Sequence, residues 1–346
     1  MKKVLVILST VGALVSCSKD KDPLFIVPPS SGSSMILDGG IGASNAENSV
    51  YVDFSADNQK SVQRNSWDLG FYCGPDFKVI INSTTAATAV AVDKTDINSV
   101  TAADFNADTL ALGRGAGSFA VIDDPREANI LNKTVVKEIS ANEAANKVYV
   151  INRVGGTGTT DEPEQLYKIR VLRNGQGYVL QYARLTETTF KEISITRNED
   201  YNFVFVSFDK GTTVAVEPEK DNWDITWGLN TYMASPTIPY TFSDFVIINN
   251  LGGTTAFERV YASAETATDA YTKFNRDSAA KYTFSNNRLV IAGNWRTTAG
   301  PESVKKDRFY IVKDAEGNIY KLKFLAMGKD DGGERGRPQL SYELIK

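Results

Sequence analysis

The side chains that most often do chemistry are unevenly supplied in this chain, because none of its 346 residues is a histidine. Without imidazole the chain has no Ser-His-Asp or Cys-His nucleophile, no histidine-based zinc site and no His-Glu-x-x-His metalloprotease helix. The remaining candidates are 42 acidic side chains, 15 tyrosines, four methionines and two cysteines. No local grouping of carboxylates favours a particular pair for glycoside hydrolysis. We therefore predict no catalytic residues, no metal site and a protein that is not an enzyme.

The first cysteine, Cys17, ends a segment with the pattern of a secretory signal. Two lysines form its basic start, and residues 4–15 are mostly apolar but too few to span a bilayer as a helix. Residues 14–17, Leu-Val-Ser-Cys, resemble the lipobox of bacterial lipoproteins. That resemblance implies a signal peptide over residues 1–16 and acylation of Cys17, with palmitate as a typical chain. More than one acyl chain anchors a protein stably. The alternative is a plain secretory signal that happens to contain a cysteine.

The segment after Cys17 is charged at first and then rich in proline, glycine and serine. Residues 18–22, Ser-Lys-Asp-Lys-Asp, resemble the tags that send lipoproteins of Bacteroidetes-type bacteria to the outer face of the outer membrane. The alternative is a solvated linker. We predict a lipidated cysteine and a flexible tether over residues 17–47, because this composition forms little structure. The expected location is the outer membrane, with the protein exposed at the cell surface.

One short stretch occurs twice and organises the rest of the sequence. Trp67 and Asp68 begin the first copy, and Trp223 and Asp224 begin the second copy 156 positions later. Three further matches keep the same order, with offsets of 167, 169 and 153: Asn82 with Asn249, Phe105 with Phe274, and Tyr167 with Tyr320. An ordered match whose offset changes by loop-sized steps indicates a tandem duplication.

Short runs rich in Val, Ile, Thr, Phe and Tyr favour strands over helices. We predict an all-β fold with two tandem copies of one β-rich unit, repeat 1 over residues 48–186 and repeat 2 over residues 187–346. Short helices are expected in each repeat, at residues 101–108 and 264–274. Residues 192–196 and 201–208 are predicted to form a hairpin. This hairpin joins the repeats without a flexible linker, so that the two repeats can share a sheet.

Several other motifs have an ordinary structural interpretation. The Trp-Asp units are expected to fill the core and to satisfy backbone donors. Neighbouring residues of a strand point to opposite faces, so the two side chains of a unit cannot form one catalytic pair. Cys73 lies among aromatic residues and is expected to be a small buried hydrophobe. Residues 113–117, Gly-Arg-Gly-Ala-Gly, lack the Gly-Lys-Ser/Thr end of a phosphate loop and are interpreted as a plain loop. Residues 328–338 form either a mobile hairpin tip or a clamp for a cation or ligand.

These features together resemble the HmuY family of haem-binding lipoproteins from Bacteroidetes-type bacteria. The resemblance rests on the lipobox at Cys17, the two Trp-Asp units, the Ile-Asn steps at Asn82 and Asn249, and the closing strands over residues 310–325. It implies an all-β fold and capture of haem, or another porphyrin, for iron acquisition. The implied partners are the outer membrane, through the lipid anchor, and a TonB-dependent haem transporter. The net charge of −4, with no basic patch, argues against nucleic acid.

The resemblance conflicts with the absence of histidine, since known members hold haem iron through two histidines or, in some relatives, two methionines. Methionine or tyrosine would have to replace them here. Met233 and Met327 are the haem-ligand candidates, because Met35 lies in the predicted tether and repeat 1 has no methionine. The alternative for both is filling of gaps in the core. The rival function is a surface interaction lipoprotein that binds a protein or glycan partner and has lost the haem site.

Overall fold

A computed structural model describes residues 27–345, so the predicted signal segment and Cys17 lie outside the described residues. Within this range the chain forms two α-helices, α1 (Ala264–Lys273) and α2 (Arg276–Ala279), together with twenty strands. The strands are β1 (Gly32–Ile36), β2 (Asn48–Asp53), β3 (Asn58–Gln63), β4 (Leu69–Tyr72), β5 (Val79–Ile81), β6 (Thr88–Val92), β7 (Val148–Asn152), β8 (Tyr167–Asn174), β9 (Gly177–Arg184), β10 (Lys191–Ile195), β11 (Phe203–Ser207), β12 (Thr212–Val214), β13 (Ile225–Met233), β14 (Pro239–Ile248), β15 (Thr255–Val260), β16 (Arg296–Thr297), β17 (Ser303–Val304), β18 (Arg308–Lys313), β19 (Ile319–Ala326) and β20 (Gln339–Leu344). The predicted all-β fold with short helices is confirmed.

The strands form two five-stranded sheets, two four-stranded sheets and a two-stranded ribbon of β16 and β17. The five-stranded sheets have the orders β10-β9-β8-β7-β6 and β1-β20-β19-β18-β15. The four-stranded sheets have the orders β12-β11-β4-β5 and β3-β2-β13-β14. All of these pairings are antiparallel. The four large sheets therefore come as two matching pairs.

The two repeats have the same topology, which confirms the tandem duplication. Strands β1 to β9 correspond, in order, to β10 to β15 followed by β18 to β20. The register agrees as well: Leu69 pairs with Val206, and its equivalent Ile225 pairs with Val52. Residues at equivalent positions of the two repeats therefore meet equivalent neighbours.

Each repeat gives its first three strands to the other repeat. Strands β1 and β2 of repeat 1 pair with β20 and β13 of repeat 2, and β10 and β11 of repeat 2 pair with β9 and β4 of repeat 1. The carboxylate of each Trp-Asp unit accepts a hydrogen bond from the residue that follows an exchanged strand. Asp224 Oδ2 accepts a hydrogen bond from Phe54 N at 2.8 Å, and Asp68 Oδ2 accepts one from Phe208 N at 2.7 Å. The duplicated motif is thus the place where the exchanged strands are fixed.

Because of this strand exchange, the sheets group into two structural units, here called bodies, whose boundaries in sequence differ from those of the repeats. The first body consists of β4 to β12 and is continuous in sequence. The second body consists of β13 to β20 and is completed by β1 to β3 from the beginning of the described chain. Its core accordingly joins Val52 and Phe54 to Trp227 and Tyr320. Apolar burial is the main favourable term in folding, so the second body depends on the first 37 described residues.

A separate apolar cluster lies where the two bodies meet. Tyr51 packs edge-on against Trp223 at a centroid distance of 5.0 Å, and Trp67 packs edge-on against Phe205 at 4.8 Å. Both pairs belong to one cluster of buried residues that spans the two bodies. Aromatic pairs of this geometry add to the gain from area burial. The structural interpretation of the Trp-Asp units is therefore confirmed, and their tryptophans hold the bodies together.

The prediction of a flexible tether up to residue 47 is wrong for its second half. Residues Gly32–Ile36 form β1 and pair with β20, and Leu37 and Ala46 are buried in the core of the second body. Composition was a poor guide here because the strand is stabilised by backbone hydrogen bonds to the edge of an existing sheet. The predicted start of repeat 1 at residue 48 therefore omits one strand.

The predicted hairpin over residues 192–196 and 201–208 is also wrong. The turn itself is present, since Asn198 O accepts a hydrogen bond from Tyr201 N at 3.1 Å. However, β10 pairs with β9 in one sheet, whereas β11 pairs with β4 and β12 in another. The connection crosses between sheets because each strand finds its backbone partners in the first body. As predicted, the repeats share sheets.

The exchange predicts that the two repeats will stay together after the chain is cut between them. A protease site inserted between Thr188 and Thr189, in the exposed connection from β9 to β10, would release two fragments. Each fragment holds three strands of the other, so we expect them to co-elute at the mass of the intact chain. They should exchange with isotope-labelled fragments only as slowly as the protein unfolds. Fragments that separate on dilution under native conditions would contradict the exchange.

Candidate functional site

The predicted site residues differ in how accessible they are. Cys17 lies outside the described residues. Met327 is 0% exposed in the core of the second body, in the cluster that contains Trp295 and Phe324. Met233 is 39% exposed at the end of β13. The geometry therefore favours the core-filling alternative for Met327 and leaves Met233 as the accessible one of the two candidates.

Met233 belongs to a hairpin arm that only repeat 2 possesses. The offset between equivalent residues rises from 156 at Trp67 and Trp223 to 167 at Asn82 and Asn249, so repeat 2 contains 11 more residues between these points. They lengthen β13 and β14 beyond β2, the neighbouring strand, which pairs with β13 only at residues 225–227. An insertion that is absent from the equivalent repeat is a natural place for a function of its own.

The arm reaches across to the first body. Thr231 Oγ1 donates a hydrogen bond to Ser83 O at 2.8 Å, and Arg126 Nη1 donates one to Pro236 O at 3.3 Å. Side chains alternate along a strand, so Met233 shares the face of Thr231 that is turned toward the first body. The other face of the arm carries three aromatic side chains in mutual edge contacts, at Tyr232, Tyr240 and Phe242.

Two clefts open at the junction of the bodies, at equivalent positions of the pseudo-symmetric molecule. Cleft 1, lined by Cys73, Lys220 and Leu251 among others, has a volume of about 920 Å³. Cleft 2 has a volume of about 520 Å³ and is lined at the equivalent positions by Leu229, Arg64 and Thr84. The clefts exist because strands of one repeat lie beside strands of the other, and sequence reasoning missed both of them.

A cation supports each cleft through an equivalent backbone contact. Lys220 Nζ donates a hydrogen bond to Glu199 O at 2.6 Å, and Arg64 Nε donates one to Ala46 O at 2.7 Å. Burial lowers the pKa of Arg64, which agrees with a group enclosed by the junction. In cleft 1, burial raises the pKa of the Cys73 thiol, so this cysteine is a weakly reactive wall residue and not a nucleophile. Its predicted burial is confirmed.

Two enclosed carboxyl groups have strongly raised pKa values but no access to a ligand. Burial raises the pKa of Glu217 to about 8, although Phe203 N donates to its Oε1 at 2.7 Å. Burial likewise raises the pKa of Asp123 to about 7, against hydrogen bonds from Ile81 N and Val135 N. Such shifts also mark active sites. Here both carboxyl groups are buried and hold backbone donors, so their arrangement supports a structural role.

The loop over residues 328–338 is fixed by contacts within the chain. The Asp331 carboxylate accepts hydrogen bonds from the backbone N–H groups of Met327, Gly328, Gly333 and Val304. Because its oxygens are occupied in this way, the loop is neither a free hairpin tip nor a ready cation clamp. Throughout residues 27–345, no three His, Cys, Asp or Glu side chains are grouped so that they could hold a metal ion. No helix in that range has the length and apolar character needed to cross a membrane.

A comparison with protein families agrees with the duplicated architecture. The family model described as HmuY protein matches the chain twice, over residues 45–200 and 198–342. The chain belongs to the HmuY family. Searches of curated proteins and of solved structures gave no match. HmuY proteins are a family of binding proteins associated with haem and with the cell surface. Each HmuY match contains strands that complete the body formed mainly by the other match.

Proposed function

We propose that this protein captures haem, or a related porphyrin, at the cell surface and delivers it for uptake without changing it chemically. The observation that carries the proposal is that both halves of the chain match the HmuY family. In this proposal Cys17 carries the lipid anchor in the outer membrane, and a TonB-dependent haem transporter receives the ligand. These two partners follow from the resemblance of residues 14–22 to lipoprotein signals and from the family.

The accessible chemistry of the arm fits a porphyrin with an unusual ligand set. Haem iron accepts methionine or tyrosine ligands in proteins that lack a suitable histidine. Met233 and Tyr240, 45% exposed, are the accessible candidates of the arm, but they lie on opposite faces of it, because Met233 pairs with Pro239 and Tyr240 pairs with Tyr232. They are therefore alternative ligands and not a pair on one porphyrin. The arm aromatics offer flat apolar surface to a porphyrin on the Tyr240 face. Arg126, at the arm tip, is a cation for a propionate, although its guanidinium is shared with Asp124.

The decisive experiment is a haemin titration followed at the Soret band under oxidising and reducing conditions. We expect the wild-type protein to bind and Met233→Ala to show weaker binding with a displaced reduced Soret band. Met327→Leu is the matched control, because it keeps the buried volume of a side chain that cannot reach a ligand. Identical spectra and affinities in all three proteins would exclude Met233 as the ligand. A wild-type protein that binds no haemin would overturn the haem proposal.

The alternative function is that of a surface interaction lipoprotein that binds a protein or glycan partner. The observations that favour it are the absence of histidine and the complete burial of Met327. These leave Met233 as the accessible mature methionine of repeat 2, whereas the family's known ligand sets use two residues. In this alternative the family's fold is kept and its haem site is lost. The same titration separates the two functions.

A further inference from the structure

We propose that cleft 1 is a binding site for a neutral oligosaccharide. Cleft 1 lies on the first body at its border with the second, and its amide, hydroxyl and aromatic side chains come from three segments, residues 72–75, 174–177 and 194–202. The residues that carry the argument are Tyr72, Asn174, Gln176, Thr196, Arg197 and Tyr201. This site is separate from the arm and does not depend on whether haem binds.

The buried polar groups at the floor of cleft 1 already form hydrogen bonds within the chain. Asn202 is buried there, and its Nδ2 donates a hydrogen bond to Asn249 Oδ1 in the second body at 2.9 Å. Arg197 forms part of the wall, with its guanidinium 3.9 Å above the Phe77 ring and its Nη2 bonded to Asp76 O at 3.0 Å. Stacking and this hydrogen bond fix the plane of the guanidinium. A ligand therefore meets a preformed surface.

The polar groups of cleft 1 are mostly uncharged and uncommitted. The side chains of Asn174, Gln176, Ser194 and Thr196 make no hydrogen bond to another group among residues 27–345, and Arg197 Nε is buried without a partner there. Amides and hydroxyls both donate and accept hydrogen bonds. A sugar ring presents the same alternation of donors and acceptors along its edge. The lining therefore matches a chain of hydroxyl groups better than a concentrated charge.

Two tyrosines give the cleft the apolar surface that a sugar ring also needs. Tyr72 and Tyr201 are half-buried at the cleft, and an aromatic ring offers a flat apolar face beside a polar hydroxyl. The C–H groups of a pyranose face pack on such a ring while its hydroxyls reach the amides. A volume of about 920 Å³ lies near the upper end of small-molecule sites, so it accommodates more than one sugar unit.

The charged side chains of cleft 1 are Arg197, Lys220 and Glu199, and each of the two cations already donates to a backbone oxygen. Lys220 Nζ is held by Glu199 O, and the Glu199 side chain itself is exposed at the rim. Porphyrin is a poor fit, because a flat apolar ligand would leave the amide groups of cleft 1 unpaired. The tyrosines, by contrast, suit a neutral ligand that is apolar on its faces and polar on its edges.

Cleft 2 provides a natural control within the same molecule. It is the pseudo-symmetric equivalent of cleft 1, but Glu47 and Gly228 stand at the positions of Tyr201 and Tyr72. Its volume is smaller, about 520 Å³, and its one aromatic lining residue is Tyr240 of the arm. A variant in cleft 2, such as Asn65→Ala, therefore changes the same kind of junction without touching the proposed site.

The experiment uses a soluble form of the chain that begins at residue 18. Maltohexaose, xylohexaose, mannohexaose and chitohexaose are titrated calorimetrically into wild type, Tyr201→Ala, the double variant Asn174→Ala with Gln176→Ala, and Asn65→Ala. We expect at least one hexasaccharide to bind. Loss of two hydrogen-bonding side chains should weaken that binding by about tenfold or more, and Asn65→Ala should leave it unchanged. Asn65, Asn174 and Gln176 are exposed and Tyr201 is half-buried, and none of the four belongs to a core cluster.

The outcomes that contradict the proposal are read from the same calorimetric titrations. Binding of none of the four sugars to wild type would overturn the proposal. So would full binding by both cleft 1 variants, or a loss with Asn65→Ala alone. The haemin titration is scored by the Soret band and is unaffected by these substitutions, so failure of one proposal does not imply failure of the other.

Discussion

Asn249→Ala is expected to lower the free energy of unfolding by about 4 kcal/mol, because each buried polar group left unpaired costs about 1–3 kcal/mol. The Asn249 side chain donates to Lys220 O at 2.6 Å and Trp223 O at 3.0 Å, and accepts from Gly252 N at 3.0 Å and Asn202 Nδ2 at 2.9 Å. It thus ties the end of β14 to the second Trp-Asp unit and to the junction. The midpoint of urea unfolding should fall with an unchanged slope.

The equivalent substitution in repeat 1 is a matched control. The Asn82 side chain donates to Arg64 O at 2.7 Å and Trp67 O at 2.8 Å, and accepts from Thr84 N at 3.0 Å and Thr84 Oγ1 at 2.6 Å. It makes no bond across the junction like that of Asn249 to Asn202, and Thr84 is half-exposed, so water can replace part of what is lost. We expect Asn82→Ala to cost about 2 kcal/mol. A larger loss for Asn82→Ala than for Asn249→Ala would contradict this account of the junction.

The duplication was visible in the sequence because it preserves residue types, whereas the exchange was not. A strand from either repeat would place an equivalent residue opposite Leu69. In the structure Leu69 pairs with Val206 of repeat 2. Without exchange it would pair with Val52, the residue of repeat 1 that is equivalent to Val206. Since both partners are valines, the register and the hydrophobic pattern are satisfied equally well. The pattern of residues therefore predicts the sheet but not which repeat supplies the strand.

The missed strand and the missed clefts have the same origin. Strand β1 has the sequence Gly-Ser-Ser-Met-Ile, which carries little strand propensity, and it forms because β20 offers an unpaired edge. Cleft 1 combines residues that are distant in sequence, such as Tyr72 at the end of β4 and Lys220 in the connection from β12 to β13, which are 148 positions apart. The sequence places Met233 and Met327 in similar contexts, each at the end of a predicted strand. Only tertiary packing determines that Met233 is exposed and Met327 is buried. Each of these features is decided by tertiary contacts that no local pattern encodes.

The two Asp residues of the Trp-Asp units have opposite electrostatic surroundings despite their equivalent hydrogen bonds. Asp68 Oδ1 lies 2.5 Å from Arg153 Nε, and Arg153 also pairs with Asp209 at 2.7 Å. Burial lowers the pKa of Arg153, but the carboxylates of Asp209 and Asp68 raise it by more. The net pKa lies above its ordinary value, so the guanidinium stays charged. In the second body Asp314 stands at the position of Arg153, and Asp224 faces further carboxylates instead of a cation.

Asp68→Asn is therefore expected to destabilise the protein by about 2 kcal/mol at pH 7, less than the loss of a fully buried pair, because Asp209 still holds Arg153. The amide oxygen can keep the hydrogen bond from Phe208 N, so the loss reports the ion pair. Arg153→Met should cost a similar amount, and the double variant should cost clearly less than the sum of the two. Additive losses would show that the pair contributes nothing of its own.

Asp224→Asn should have the opposite effect at neutral pH. Burial, with smaller contributions from Asp314, Asp53 and Glu316, raises the pKa of Asp224 well above its ordinary value. The folded protein therefore binds a proton that the unfolded chain has lost. Wild type should lose up to about 1.4 kcal/mol of stability per pH unit as pH rises from about 4 toward the folded pKa. An amide in place of the carboxyl keeps the acceptor for Phe54 N and cannot ionise.

The measurement is the free energy of unfolding of wild type and Asp224→Asn at pH 4, 5, 6 and 7. The two proteins should be nearly equal at pH 4, and the variant should become progressively more stable than wild type above it. Asp68→Asn should show a smaller pH-dependent change, because burial also raises the pKa of Asp68 but Arg153 offsets part of that effect. A constant difference between wild type and Asp224→Asn from pH 4 to 7 would mean that Asp224 is ionised in the folded protein. The second Trp-Asp unit would then need a compensating cation that its equivalent in the first body finds in Arg153.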